Sequence, residues 1–262
     1  LSFFKKVNWV FHLAGLADIV PSIEKPTEYF DNNVKGTLNI LEVSKNKKLK
    51  KFIYSASASC YGLPKRFPTN EQSPIDTRYP YALSKFLGEQ LVMHWAKVYK
   101  MPNLSLRFFN VYGPRSRTTG AYGAMFGVFL SQMKNNYPLT IVGSGKQTRD
   151  FIYVSDVIEG LIKAAKSKQT NNIYNLGSGK ETSVNYIANL ISKKKTKIPT
   201  RPGEPSRSKA DIGKFKRDFN WRPKITINQG VSELLSNIQL WKNAPLWTKS
   251  KINKATKTWF KF

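Results

Sequence analysis

The protein has 262 residues, 40% of them hydrophobic, which suffices for one large α/β domain with a smaller appendage and excludes a disulfide-stabilised miniprotein. Lys and Arg number 43 against 16 Asp and Glu, a formal net charge of +27, so a nucleic acid or an anionic membrane has to be considered as a partner. The single cysteine, Cys60, excludes a disulfide within the chain and is typical of a reducing compartment, and no apolar run approaches the roughly 20 residues of a membrane span. We therefore expect a cytoplasmic protein without a membrane partner.

Strands and helices alternate along the first part of the chain. The apolar patterning predicts a strand over residues 7–13, a loop through Pro21, a helix within 26–45, a strand over 51–57, a helix over 79–100 and a strand over 104–109. Strands alternating with helices of this length predict parallel pairing with right-handed crossovers, the doubly wound α/β class. In that class the active site lies at the carboxyl ends of the strands.

The basic residues are spread along the chain. The densest runs, residues 45–51 and 193–197, each follow an apolar helical stretch, where Lys is favoured by the negative end of the helix dipole. We interpret them as solvated helix ends and expect no nucleic-acid partner. The alternative, a polyanion-binding module, would require one contiguous basic face and binding that weakens steeply with salt.

Metal and phosphate-loop chemistry find little support in the sequence. His12 and His94 are the only histidines, so no zinc cluster or Cys–His pair is available at a recognised spacing, and we expect no metal and two packed or capping histidines. The segment 177–180 reads Gly-Ser-Gly-Lys after a predicted strand, but Tyr174 and Glu181 occupy the positions of the required Gly and Ser/Thr. We interpret it as a turn that binds no nucleotide phosphate.

Tyr81 and Lys85 are four positions apart near the start of the predicted helix 79–100, so they share one helix face. An ammonium beside a phenol stabilises the phenolate and lowers a pKa near 10, which makes the Tyr a general base. Tyr61 and Lys65 have the same spacing, but Pro64 breaks a helix there. The spacing by itself fits a surface pair equally well.

The context of this pair identifies a family. A Ser/Ala run, Ser55-Ala-Ser-Ala-Ser59, ends the preceding strand, where a hydroxyl can lie beside the phenol. Together these segments resemble the extended short-chain dehydrogenases/reductases, in particular the NAD-dependent nucleotide-sugar epimerases and dehydratases. The resemblance rests on seven ordered segments: Val10-Phe-His-Leu-Ala-Gly15, Asp31-Asn-Asn-Val-Lys-Gly-Thr37, Ser57-Ala-Ser-Cys-Tyr-Gly62, Tyr81-Ala-Leu-Ser-Lys85, Arg107-Phe-Phe-Asn-Val-Tyr-Gly-Pro114, Gln147-Thr-Arg-Asp-Phe-Ile-Tyr-Val154 and Arg201-Pro-Gly-Glu204.

The resemblance implies a role for each matching residue. Tyr81 would remove the proton of the sugar O4, Ser57 would hydrogen-bond the same oxygen, and Lys85 would lower the Tyr81 pKa and hold the nicotinamide ribose. The expected NAD-binding residues are Leu13, Ala14, Gly15, Asn32, Tyr81, Lys85 and Phe109. The expected UDP-sugar-binding residues are Ser57, Asn110, Thr140, Arg149, Arg201, Glu204 and Ser208. Among the latter, Asn110 and the two arginines would hold the diphosphate, Glu204 would lie near the nucleotide ribose, and 139–142 would flank the base.

The residues after Ser57 narrow the reaction type. Ala58 and Ser59 follow it, where 4,6-dehydratases of this family carry Asp-Glu and decarboxylases carry a Glu at the second position. The resemblance therefore favours a nucleotide-sugar 4-epimerase, which moves a hydride from C4 to NAD and back through a 4-keto sugar. Family members that reject 2-N-acetyl sugars carry a bulky residue at the position of Ser208, and the small serine leaves room for such a group. We therefore expect UDP-glucose/galactose or UDP-GlcNAc/GalNAc as substrates. The alternatives are another NAD-dependent dehydratase or decarboxylase, or a noncatalytic sugar-nucleotide binder.

The chain also departs from the family pattern. It opens at what resembles the fourth strand, and the glycine-rich loop that binds the cofactor pyrophosphate is not found in it. Ala17 stands where several epimerases have Lys. We therefore expect a fragment that binds NAD weakly or not at all, is inactive as it stands, and has an unpaired apolar strand edge.

The resemblance also predicts how the chain is divided. We expect 1–112 to be the remaining part of a Rossmann domain, with 150–177 returning to it, and 113–149 and 178–262 to form mainly a substrate-binding region. The full-length protein is expected to form a homodimer through the helices that follow Pro26 and Tyr79.

Overall fold

A four-stranded parallel sheet forms the centre of the computed structural model, which describes residues 6–116, 118 and 125–261. The strands in chain order are β1 (Trp9–His12), β2 (Lys51–Ser57), β3 (Asn103–Phe108), β4 (Asn110–Tyr112), β5 (Leu139–Val142), β6 (Thr148–Arg149), β7 (Phe151–Tyr153), β8 (Asn172–Leu176), β9 (Thr182–Ser183) and β10 (Lys195–Ile198). The central sheet has the order β1-β2-β3-β8. In its register Ser57 lies opposite Phe108, and Phe108 opposite Leu176. The carboxyl ends of these strands therefore meet at one edge, as the doubly wound class requires.

The described helices are α1 (Ile19–Glu24), α2 (Pro26–Phe30), α3 (Gly36–Ser44), α4 (Pro80–Val98), α5 (Met125–Lys134), α6 (Val154–Lys166), α7 (Val184–Ile191), α8 (Gly213–Phe219), α9 (Ile227–Ser236) and α10 (Lys249–Ala255). Of these, α3 and α4 pack on one face of the central sheet, and α6 and α8 pack on the other. A π-helical turn over Asp31–Lys35 joins α2 to α3, and short 3₁₀ turns cover Ala58–Tyr61, Ile238–Trp241 and Trp259–Lys261. Alternation along β2 directs Phe52 and Tyr54 to a cluster with Leu41 of α3 and Val92 of α4, whereas Ile53 packs on the opposite face.

The predicted α/β doubly wound fold is confirmed, and several elements have the expected bounds. β2 coincides with the predicted strand, and α4 lies within the predicted helix 79–100. The predicted loop through Pro21 is wrong, because Pro21 is the third residue of α1. A proline is tolerated there since the amides of a first helical turn have no partner within the helix.

A second apolar core lies beyond the central sheet. It includes Phe129 of α5, Ile141 of β5, Ile187 of α7 and Leu234 of α9, and β5 pairs in parallel with β10. Residues 210–221 pack instead against the central sheet, where Phe215 of α8 contacts Tyr174 of β8. The predicted division into a Rossmann part and a substrate-binding region stays a prediction.

The C-terminal elements return to the beginning of the described chain. Thr258 donates a hydrogen bond of 2.8 Å to Glu24 at the end of α1, and Trp259 packs on Val20. Within the part of the chain that the structure describes, β1 pairs with β2 alone, and Trp9 and Phe11 on it are each more than a third exposed. In the same described residues, no helix combines the length and apolar character needed to cross a bilayer.

Candidate functional site

Ser57 and Tyr81 meet at the carboxyl edge of the sheet, on the wall of a cavity of about 580 Å³. Ser57 is the last residue of β2, and Tyr81 is the second residue of α4. The Tyr81 hydroxyl donates to Ser57 Oγ at 3.3 Å, and Ser59 donates to the same oxygen through its hydroxyl at 2.8 Å and its amide at 3.2 Å. Three hydroxyls thus converge at the point where the parallel strands end.

The electrostatics of Tyr81 differ from the expectation. Burial raises the pKa of its phenol, the hydrogen bonds with Ser57 and Ser59 lower it, and the negative charge of Asp18 raises it further. We expected Lys85 to lower this pKa. Removal of the phenol from water is the larger effect in this structure, so its neutral form is favoured.

The Lys85 ammonium is buried between α4 and the end of β1. Its Nζ lies 4.5 Å from the centre of the Tyr54 ring, and the side chain is only 5% exposed. A Cβ placed on Gly15 would lie 3.5 Å from the same nitrogen. Desolvation lowers the pKa of Lys85 to about 8, opposed by the negative charge of Glu89. Lys85 is therefore a buried hydrogen-bond donor beside the loop that follows β1.

The segment after β1 presents the features that the nicotinamide end of NAD requires. Leu13, Ala14 and Gly15 are exposed, and Asn33 fixes the loop, because its Oδ1 accepts from the Leu16 amide at 2.7 Å and its Nδ2 donates to the Leu16 carbonyl. An exposed backbone beside the Lys85 ammonium fits a ribose that presents hydroxyls to be bound. These residues fit the cofactor, and their assignment stays a prediction.

Two further predicted NAD residues lie apart from this loop. Asn32 is exposed in the π-helical turn and donates to the Glu28 carbonyl at 2.8 Å. Phe109 is 8% exposed, stacks obliquely with Tyr61, and lines the cavity. Of the predicted NAD residues, only Tyr81 and Phe109 therefore belong to the cavity wall as well.

The predicted substrate residues are brought together around the cavity. Its wall includes Ser57, Asn110, Thr140, Arg149, Arg201, Glu204 and Ser208. The guanidinium of Arg149 forms an ion pair of 2.7 Å with Glu204, although the two were predicted to hold different parts of the substrate. Burial lowers the pKa of Arg149, and Glu204 opposes this effect. The cavity therefore carries a partly buried cation held by an internal carboxylate.

Two of these wall residues, Asn110 and Thr140, have hydrogen-bond partners within the protein. Asn110 donates to the Asp150 carbonyl at 3.3 Å, and Thr140 is 4% exposed. Gln132 of α5 binds Thr140 twice, with its amide nitrogen on the hydroxyl at 2.9 Å and its amide oxygen on the Thr140 amide at 3.1 Å. Gln132 is fully buried behind the wall and supports Thr140, a role that the sequence does not show because glutamine inside an apolar helix belongs to no motif.

The aromatic residues Tyr79 and Trp259 on the cavity wall were also missed. Tyr79 precedes the recognised helix motif by two positions, and Trp259 lies in a C-terminal segment whose spacing matches no pattern. Asp18, which follows β1 with φ at 87°, also lines the cavity. Only their position in three dimensions relates them to the site.

The turn over residues 177–180 binds an internal anion. The fully buried Asp150 carboxylate accepts hydrogen bonds from the amides of Ser178 at 2.6 Å, Gly179 at 2.9 Å and Ala210 at 3.0 Å, and from the Ser178 hydroxyl. These amides are thereby occupied, which explains why a phosphate-loop-like sequence serves as a structural turn.

The two histidines differ in their surroundings. His12 is buried, bonds Thr37 Oγ1 at 2.9 Å, and has a pKa lowered to about 4 by desolvation and by the charge of Lys85. His94 is exposed beside Trp95, so its predicted packed or capping role is wrong. The described residues contain no group of three or more His, Cys, Asp or Glu side chains placed to hold a metal ion.

Comparison with known proteins decides the family. Residues 1–177 match the NAD dependent epimerase/dehydratase family. The chain belongs to this family. The resemblance inferred from the seven sequence segments is thereby confirmed.

Curated relatives carry related names. The chain is 35% identical to the putative UDP-glucose 4-epimerase of Methanocaldococcus jannaschii over 240 residues. The aligned region covers 89% of this chain and 77% of that protein. It is 32% identical to the UDP-glucuronate 4-epimerase of Thermodesulfobacterium geofontis, with 90% and 75% covered. UDP-glucuronic acid decarboxylase 1 of Arabidopsis thaliana is 31% identical, with 89% and 55% covered.

Solved structures with the same fold include two epimerases. UDP-glucuronic acid 4-epimerase from Bacillus cereus, in complex with UDP-glucuronic acid and NAD, matches with a TM-score of 0.84 at 31% identity, over 91% of this chain and 77% of that one. UDP-N-acetylglucosamine 4-epimerase from Methanobrevibacter ruminantium, in complex with UDP-N-acetylmuramic acid, matches with a TM-score of 0.84 at 30% identity, over 90% and 79%. The Rossmann-type fold of the chain is confirmed by these matches.

Proposed function

We propose that the protein is an NAD-dependent nucleotide-sugar 4-epimerase that acts on UDP-sugars. The observation that carries the proposal is the hydrogen-bonded pair of Tyr81 and Ser57 on the wall of a cavity that also holds Arg149 and Arg201. The Tyr81–Ser57 pair can transfer a proton at the sugar, and the two guanidinium groups can bind the diphosphate. The relatives named above support UDP-sugars as the substrate class and NAD as the cofactor.

The three hydroxyls of Ser57, Ser59 and Tyr81 would act on the sugar O4. Ser59 donates to Ser57, so the Ser57 hydroxyl is oriented toward the cavity and can bond the substrate O4 beside the Tyr81 phenol. Tyr81 would take the O4 proton as the phenolate while C4 is oxidised, and the neutral phenol, which burial favours, would return the proton while C4 is reduced. Bound NAD would supply the hydride acceptor and donor for C4, the 4-keto sugar would present its other face before the hydride returns, and Lys85 would hold the nicotinamide ribose. Ala58 and Ser59 provide none of the carboxyl groups that elimination or decarboxylation needs.

The opposite wall would bind the nucleotide. Arg149 and Arg201 would hold the diphosphate with Asn110, because a planar guanidinium bonds two oxygens at once. Glu204 holds Arg149 at 2.7 Å and would lie near the nucleotide ribose. Ser208 is a small side chain on the same wall, which leaves room for a 2-N-acetyl group.

We also propose the cellular setting expected from the sequence. A cytoplasmic location is supported by Cys60, the single cysteine, which is free and buried. A homodimer is supported by Val98 and Tyr99, apolar residues that are exposed around the end of α4. Light scattering of the full-length protein at micromolar concentration tests the dimer. A monomer mass would contradict it.

The test of the reaction uses protein expressed from its complete gene, with NAD and either UDP-glucose or UDP-GlcNAc, followed by proton NMR of the anomeric signals. We expect conversion to the C4 epimer, lost in Tyr81→Phe while UDP affinity is kept. Absence of C4 interconversion with every UDP-sugar would refute the proposal. Ser208→Tyr should abolish turnover of UDP-GlcNAc alone, and equal effects on both sugars would contradict the role of Ser208.

A further inference from the structure

The C-terminal arm, residues 245–261, runs from the second apolar core to a small apolar cluster at α1. Its first part is held by α5, where Ser131 donates to the Pro245 carbonyl at 3.0 Å and Gln132 donates to the Trp247 carbonyl at 2.7 Å. Its last part reaches α1 through the bond from Thr258 to Glu24. The arm contributes Ile252 and Trp259 to the cavity wall.

Trp259 contacts the Arg201 segment in two ways. The guanidinium carbon of Arg201 lies 5.7 Å from the centre of the Trp259 ring, a cation–π distance. The Trp259 indole donates to the Tyr79 hydroxyl at 2.9 Å, and that hydroxyl donates to the Pro202 carbonyl at 3.1 Å. The side chain of Arg201 and the backbone that follows it are therefore both fixed through one tryptophan, which is itself 2% exposed.

The loop after Arg201 is shaped to admit Tyr79. Gly203 has φ at +66°, and a Cβ on it would lie 2.3 Å from the Tyr79 hydroxyl. A side chain at this position would displace the ring that links Trp259 to the loop. Gly203, Tyr79 and Trp259 are thus packed together beside the backbone that follows Arg201.

We propose that Trp259 is a positioning residue for substrate binding, which presents Arg201 to the diphosphate of the nucleotide sugar, so that the C-terminal arm is part of the binding site. This inference rests on the proposed function, because it takes Arg201 to contact a diphosphate. It assigns a role in ligand affinity to a segment outside the family match over residues 1–177.

The first test is calorimetric titration of the chain with UDP. We expect Trp259→Leu to weaken UDP binding about 5- to 20-fold, in the range of a buried cation–π contact, and Trp259→Phe, which keeps an aromatic face, to stay within about threefold. Phe260→Leu is the matched control, since Phe260 is the neighbouring aromatic residue and is 44% exposed. Circular dichroism melts confirm that each variant is folded.

A double-mutant cycle separates positioning from a general structural effect. In an Arg201→Gln background, Trp259→Leu should weaken UDP binding no further, because its effect acts through Arg201. Equal losses in both backgrounds overturn the inference. Loss of affinity in Arg201→Gln but not in Trp259→Leu also overturns it and leaves the proposed function intact. Failure of the unmodified chain to bind UDP contradicts the proposed function, and the inference with it.

Discussion

Burial of the Lys85 ammonium lowers the free energy of unfolding at neutral pH. The pKa of Lys85 falls from 10.5 to about 8 because the side chain is withdrawn from water. Below pH 8 the folded state has to carry this buried charge. We predict that Lys85→Met, which keeps the length and apolar stem of the side chain, makes the protein more stable at pH 7 while removing a group proposed to hold the cofactor.

The magnitude follows from proton linkage. Between pH 8 and 10.5 the unfolded chain binds one more proton at Lys85 than the folded chain does, so the free energy of unfolding rises with pH in that window. A tenfold change in proton affinity corresponds to about 1.4 kcal/mol, and the lowered pKa thus corresponds to about 3 kcal/mol. Loss of the contact with the Tyr54 ring offsets part of it, so we expect Lys85→Met to gain about 2 kcal/mol at pH 7.

The assay is urea unfolding monitored by circular dichroism, at several pH values from 7 to 10.5. The difference between unmodified protein and Lys85→Met should be largest at pH 7 and shrink as the pH rises through 8 toward 10.5. Lys97→Met is the matched control, because Lys97 lies on the same helix and is exposed. Identical pH slopes for the protein and Lys85→Met, or a less stable Lys85→Met at pH 7, would show that burying the Lys85 charge does not destabilise the fold.

Three further substitutions test the buried polar structure. Glu89→Gln removes the partner of Arg107, 2.6 Å away and equally buried, and should cost about 3 to 5 kcal/mol in urea unfolding; a cost below about 1 kcal/mol contradicts this. Asp150→Asn replaces a carboxylate that accepts three backbone amides and should cost about 2 to 4 kcal/mol, with faster hydrogen exchange at Ser178; unchanged exchange counts against it. Gly203→Ala, at φ +66°, should lower the melting temperature and UDP affinity together. Unchanged affinity would show that the conformation of this loop does not affect UDP binding.

Local patterns predicted the fold where sequence and packing agree. The apolar run Phe52-Ile-Tyr54 predicted the strand β2 correctly, and in the structure its side chains pack on both faces of the sheet. The helix α1 was missed because Pro21 was interpreted as a loop residue, although its position in the first turn removes no hydrogen bond. The π-helical turn over Asp31–Lys35 depends on contacts of Asn33 with Leu16 and Ser84, which come from distant parts of the chain.

The candidate site also contains residues that the sequence predicted and contacts that it did not. Ser57, Tyr81 and Arg149 lie in motifs with fixed spacing, and the structure places all three on one cavity. The ion pair of Arg149 with Glu204, and the contact of Arg201 with Trp259, join residues 55 and 58 positions apart. No periodic pattern encodes such pairs, because their formation depends on how two loops pack.

The C-terminal arm also bears on the order in which the protein folds. The bond between Thr258 and Glu24 closes a loop of 234 positions, and contacts of such separation pay their loop-closure entropy only when the intervening structure is already compact. We therefore expect the arm to dock after α1 has packed on α4 and α5 has packed into the second core. The binding site therefore matures last, and in refolding experiments UDP affinity should return after the far-ultraviolet circular dichroism signal, so that a partly folded chain captures no substrate.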